Sequence, residues 1–133
     1  MKTLKSKVTY GLQKGSKVQT CDNSGAKIIR IISVFGHNTT KGRNPECGVG
    51  DLINCSVISG SQDMLKQVVF AVIVRQRKEW KRPDGTRIRF EDNAVAVLKD
   101  EKGNPKGTII KGAIAKEVAE RWPSVSKLAS VVV

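Results

Sequence analysis

Residues 67–98 read QVVFAVIVRQRKEWKRPDGTRIRFEDNAVAVL, and the place where this stretch changes character decides the fold. From Val68 to Val74 every residue is apolar, which predicts a strand covered on both faces. From Arg75 the chain turns polar on both faces through Gln76, Arg77, Lys78 and Glu79, so the strand is expected to leave the core and run on into solvent or a charged partner. Pro83-Asp84-Gly85 supplies a turn, proline setting its own φ and glycine accepting φ > 0. The chain then returns through Ile88 and Phe90 to the apolar run Ala94 to Leu98. The pattern predicts a β-hairpin rooted in a barrel or sandwich, with an outer arm that projects by roughly 25 Å at ordinary strand rise.

That arm holds Arg75, Arg77, Lys78, Lys81, Arg82, Arg87 and Arg89 against Glu79 and Asp84, with Trp80 among them. Charges on an ordinary exposed edge mix signs and serve to keep the edge soluble and unpaired. Here like charges meet across paired strands, which is unfavourable unless a polyanion neutralises them. The whole chain leans the same way, with 24 Lys and Arg against 12 Asp and Glu and a formal charge of +12. Nucleic acid or an anionic membrane surface fits such a balance. Membrane is the poorer fit, because no apolar run approaches the ~18 residues of a spanning helix. The start MKTLKSKVTYGLQKGSK has no apolar signal segment behind its lysines, and a cytoplasmic protein is expected. Cys21, Cys47 and Cys55 form no Cys-x-x-Cys pair and, with His37 alone, make no zinc set, so reduced thiols and no cofactor are expected.

At 133 residues one domain is expected. Residues 1–14 read as a basic arm, 15–98 as a β-barrel with the hairpin at 75–89, and 99–133 as a C-terminal turn with short helices. The arm either stays in solvent or lies on a polyanion. Lys17 to Cys21 alternates as a strand, Asp22-Asn23-Ser24-Gly25 makes a tight turn, and the β-branched run Lys27 to Phe35 gives a second strand. Gly36 to Gly50, rich in glycine and without a period, reads as a long loop whose Lys41 and Arg43 are candidate phosphate contacts. Asp51 to Ile58 alternates as a third strand. With the two hairpin strands this makes a mainly β fold, a small closed five-stranded antiparallel barrel. Ala113 to Trp122 sets Ile114, Val118 and Trp122 on one face, which predicts a short amphipathic helix that packs on the sheet and stops at Pro123. The apolar tail SKLASVVV is expected to dock on this domain or a neighbour.

Catalysis finds no footing. The acid pairs Glu91-Asp92 and Asp100-Glu101 are sequence neighbours that diverge on strands, and Cys21 reads as a small buried hydrophobe beside its Asp22 and Lys27.

Ala71-Val72-Ile73-Val74, followed by Asp84-Gly85, Phe90 and Asn93, resembles the signature of the universal ribosomal protein fourteen family of the large subunit. Agreement extends to Asp22-Asn23-Ser24-Gly25-Ala26-Lys27, Gly48-Val49-Gly50-Asp51, Arg75-Gln76-Arg77-Lys78, and Gly107-Thr108 before Lys111-Gly112. Glu120-Arg121-Trp122-Pro123 and the ending Ala129 to Val133 are similar to the archaeal and eukaryotic branch. The resemblance implies a five-stranded barrel with a protruding hairpin and short C-terminal helices. It also implies a structural constituent of the large ribosomal subunit in the cytoplasm, binding large-subunit rRNA and facing the small subunit, with bridges to small-subunit rRNA. Neighbouring large-subunit ribosomal proteins are implied as partners, and the subunit anti-association factor at the C-terminal region, here about Thr108 to Val133. Cys21 and the loop Gly36 to Pro45 depart from the family pattern.

A-form RNA hides its base edges in a deep groove, so a structural binder is expected to grip phosphates and 2′-hydroxyls with lysine and arginine. The residues expected to meet RNA are Asn23, Ser24, Lys27, Lys41, Arg43, Arg75, Arg77, Lys78, Trp80, Lys81, Arg82, Arg87, Arg89, Lys106 and Lys111. Trp80 either stacks on a base or covers the hairpin, and Asn23 with Ser24 either cradles phosphate or makes a plain turn. The alternative is a freestanding barrel for single strands, which six aromatic residues in the whole chain support poorly.

Overall fold

In the computed structural model, which describes residues 2–133, the β-branched runs become the staves of a closed barrel. In chain order the strands are β1 (Leu12–Gln13), β2 (Lys17–Thr20), β3 (Ala26–Val34), β4 (Glu46–Cys47), β5 (Leu52–Gly60), β6 (Val68–Arg75), β7 (Trp80–Lys81), β8 (Arg87–Ile88), β9 (Ala94–Leu98) and β10 (Ile110–Ile114). Two short helices, α1 (Lys116–Arg121) and α2 (Pro123–Ser126), and a last strand, β11 (Ala129–Val132), complete the order. The barrel runs β2-β3-β5-β6-β9, and the β2–β9 seam that closes it is parallel, Gln19 lying opposite Ala94. That seam corrects the all-antiparallel expectation: in a meander with an odd number of staves the first and last run the same way. The other four seams are antiparallel.

Alternation fills the interior from β3 and β5, with Ile29, Ile31, Ile53, Cys55 and Val57 buried. β9 is buried at every position, as its unbroken apolar run requires. Its second side is covered by the turn after it, where Leu98 bridges to Pro105 and the Lys106 amide donates to the Val97 carbonyl at 3.0 Å. All three cysteines are buried free thiols, and burial pushes each up to about 12, so they act as packing.

Three further points differ from the sequence pattern. The basic arm and the long loop are less irregular than they read, because β1 pairs with β4, Leu12 opposite Cys47; Met1 lies outside the described residues. The hairpin ladder β7–β8 spans two residue pairs, Trp80 with Ile88 and Lys81 with Arg87, and it is braced on α1, Trp80 and Arg82 both donating to Glu117. The helix expected from Ala113 starts at Lys116, because Ala113 and Ile114 belong to β10. Pro123 does end α1, but it also opens α2 at the first helical position, where its missing N–H costs nothing. Ile114, Val118 and Trp122 face the core as predicted, and the apolar tail docks on this chain, β11 running parallel to β10.

Candidate nucleic-acid interface

Of the 24 lysines and arginines, Arg75, Arg82 and Arg121 are half-buried and the rest are exposed. Each half-buried arginine meets a carboxylate and a backbone carbonyl, so its charge is neutralised inside the protein. At the end of β6, Arg75 grips Asp92 with two N–H groups at 3.0 and 3.1 Å. Its Nη1 donates to the Lys111 and Ala113 carbonyls of β10 at 2.9 and 2.8 Å. Gly112, at φ +81°, makes room for this clamp, since a Cβ there would stand 2.6 Å from Arg75 Nη1. Arg121 donates to the Gly50 carbonyl and to Asp51, at 3.2 and 3.3 Å.

Arg82 grips Glu117 of α1 at 2.9 and 3.2 Å and donates to the Val133 carbonyl at 2.6 Å. The same carboxylate accepts from Trp80 Nε1 at 3.1 Å and from Ser6 Oγ at 3.3 Å. Burial raises the Glu117 carboxyl, but the hydrogen bonds from Arg82 and Trp80 outweigh it and hold the pKa below its ordinary value. Trp80 is 1% exposed and lies nearly parallel to Phe90, ring centroids 6.0 Å apart. It therefore has no free face for a base, which favours packing over base stacking.

The cations left on the hairpin are Arg77, Lys78, Lys81, Arg87 and Arg89, all exposed. Arg87 touches Glu79 at 2.8 Å, an exposed pair that competes weakly with a phosphate. Arg77 and Arg89 share a shallow hollow with Phe90 and Glu91, and Asn93 Oδ1 fixes the backbone there by accepting from the Arg77 amide at 2.8 Å. Lys27 and Lys111 border a second hollow with Gln19 and Thr20. Lys41 and Arg43 are exposed on the loop, where the Thr39 hydroxyl donates to the Arg43 carbonyl at 2.6 Å. Lys106 stands apart, beside Val68, Phe70 and Lys99.

The turn at Asp22 is built to hold the chain to itself. Asn23 Oδ1 accepts from the amides of Thr108 and Ile109 at 2.7 and 3.3 Å, and Nδ2 donates to Thr108 Oγ1 at 2.8 Å. Ser24 Oγ donates to Asp22 Oδ1 at 2.8 Å, while Asp22 Oδ2 accepts from the Val97 amide. Both candidate side chains are occupied within the protein, which favours the plain turn over a phosphate cradle.

Residues 11–133 match the family described as Ribosomal protein L14p/L23e. The chain belongs to this family. Proteins named large ribosomal subunit protein uL14 from Nanoarchaeum equitans and Haloarcula marismortui are each 51% identical to it, and one from Methanocorpusculum labreanum is 48% identical. Each alignment covers the whole of both chains, and these relatives place it in the archaeal-type branch. Members of the Ribosomal protein L14p/L23e family are structural ribosomal proteins and not enzymes, and this holds for the chain. Among the described residues no group of three or more His, Cys, Asp or Glu could hold a metal, and no helix is long and apolar enough to cross a membrane.

Two residues that organise this L14p/L23e surface escaped the sequence reading. Gln76 is fully buried: Oε1 accepts from the Val49 amide at 2.9 Å, and Nε2 donates to the Thr9 and Lys78 carbonyls at 2.7 and 2.9 Å. It joins the N-terminal arm, the Gly48–Gly50 turn and the hairpin base. Glu117, 2% exposed, joins Ser6, the hairpin and α1. Both sit among charged neighbours in the sequence, and nothing in the local pattern separates them from solvated residues.

Proposed function

We propose that the chain is a structural constituent of the large ribosomal subunit that binds large-subunit rRNA through its exposed cations, in the cytoplasm. The observation that carries this is the division of charge: half-buried arginines are neutralised within the fold, while Arg77, Lys78, Lys81, Arg87 and Arg89 face solvent on one hairpin. Lys27, Lys111, Lys41 and Arg43, exposed elsewhere on the chain, are further candidate contacts. Arg75, Arg82, Trp80, Asn23 and Ser24 act as the frame that presents it. Phosphate and 2′-hydroxyl contacts by such groups need no base readout, which suits an RNA recognised by shape. The names of relatives about half identical to the chain support the large subunit as its place.

The test is equilibrium binding to a large-subunit rRNA fragment across a salt series. Replacing Arg77 and Arg89 with Gln is expected to weaken binding on the order of tenfold and to flatten the salt slope by about one unit per lost phosphate contact. An unchanged slope would remove the hairpin from the interface.

Neighbouring ribosomal proteins, small-subunit rRNA across the subunit face and the anti-association factor complete the reading. The exposed apolar residues Ile109, Val131 and Val132 on and beside β10–β11 support a protein partner for the C-terminal region. Val132→Asp is expected to lower binding of the anti-association factor to large subunits while leaving incorporation intact.

The single-strand-binding alternative is weakened by exposure: of the aromatic residues, Tyr10 alone lies open, at 44%.

A further inference from the structure

The outer face of the barrel over β3, β5 and β6 is more apolar than a solvated face should be. Val68 is 67% exposed, Ile32 40% and Ile58 38%. The ladders place Arg30, Ser56 and Val68 in one row across these strands, with Asn54 and Phe70 paired in the neighbouring row. Beside Val68 lies a hollow of about 350 Å³, lined by Val68, Val69, Phe70, Leu98, Lys99 and Lys106. Its lining joins the apolar Val68, Val69, Phe70 and Leu98 to the two exposed lysines Lys99 and Lys106, and no carboxylate belongs to it. The face thus combines an apolar centre with Arg30, Lys99 and Lys106 around it.

A nucleic acid answers half of this pattern. Its phosphates would suit the lysines, but its sugar–phosphate surface leaves β-branched aliphatic side chains uncovered, and interfaces with nucleic acid are more polar than those between proteins. A protein segment answers both halves, an apolar side chain filling the hollow and neighbouring carboxylates meeting the rim. We infer that this face docks a second protein through an aliphatic or aromatic side chain flanked by acidic residues, Val68 and Phe70 receiving the side chain and Lys99 and Lys106 the carboxylates. The inference rests on the proposed place of the chain in the large subunit, and it assigns Lys106 to a protein contact instead of RNA.

The experiment puts p-benzoylphenylalanine at position 68 of the tagged full-length chain in cells. The large subunits are separated on a gradient and irradiated, and the crosslinked peptide is sequenced. The expected product is a peptide from another protein with Asp or Glu within a few residues of the crosslink. Its yield should fall about threefold or more when Lys99 and Lys106 are both replaced by Glu, with sedimentation unchanged. Crosslinks to rRNA, or none, would overturn the docking surface while sedimentation with the subunit still upheld the proposed function. A chain absent from the large subunit would sink that function, and the crosslink, read in whichever fraction holds the chain, would still decide the surface.

Discussion

At Glu117 one carboxylate accepts hydrogen bonds from Ser6, Trp80 and Arg82, tying the N-terminal arm and the hairpin to α1. Glu117→Gln keeps an acceptor for Trp80 but leaves the half-buried Arg82 guanidinium without its counter-charge. The expected loss is about 2 to 4 kcal/mol in denaturant unfolding, because stranding one member of a buried pair costs more than the pair gains. The same carboxyl gives a pH signature. Its folded pKa lies below the ordinary 4.5, so its contribution is complete above that pH and is lost as pH falls through the folded value. Burial holds Asp22 and Asp51 above their ordinary values, so they act with the opposite sign, losing stability as pH rises from the ordinary 3.8 through their folded values. The difference between wild type and E117Q isolates Glu117: the gap should narrow on acidification below pH 4.5, and a constant gap would contradict the assignment. At Gln76, replacement by Leu strands the Val49 amide and the Thr9 and Lys78 carbonyls, with an expected cost of about 2 to 3 kcal/mol.

Among the elements, the turn after β9 is held where Gly103, at φ +98°, lies against Trp122. A Cβ there would meet Trp122 Cε3 at 2.6 Å, so Gly103→Ala is expected to cost about 2 kcal/mol or more in thermal or denaturant unfolding. Strands were the most legible elements, because β3, β5, β6 and β9 carry their burial in runs of Ile and Val. β10 was not legible: Ala113 and Ile114 fit the period of the helix that follows, and what makes them a strand is the distant tail, Val131 and Val132 pairing with them. The hairpin misled for a related reason. Arg75, Trp80 and Arg82 read as an exposed basic run, but their partners Asp92 and Glu117 lie 17 to 37 residues away, beyond any local pattern.

For the molecule as a whole, the charge of +12 is legible in the sequence, and the structure sorts which cations face outward. The odd number of staves settles the parallel seam, and that seam brings the Asp22 turn beside β9 and the Thr108 segment. The fold thereby fixes the C-terminal surface relative to the barrel without using any exposed lysine or arginine of the hairpin. Stability and the proposed RNA binding therefore separate: Arg77→Gln with Arg89→Gln should unfold within about 0.5 kcal/mol of wild type, surface changes of this kind being nearly neutral. Membership of the large subunit is tested by sedimentation of the tagged chain from a cell lysate, at moderate and then high salt. The chain is expected to travel with the large subunit and with whole ribosomes and to survive the high-salt wash, held by many phosphate contacts together with packing. A main pool at the top of the gradient, or release at modest salt, would contradict it.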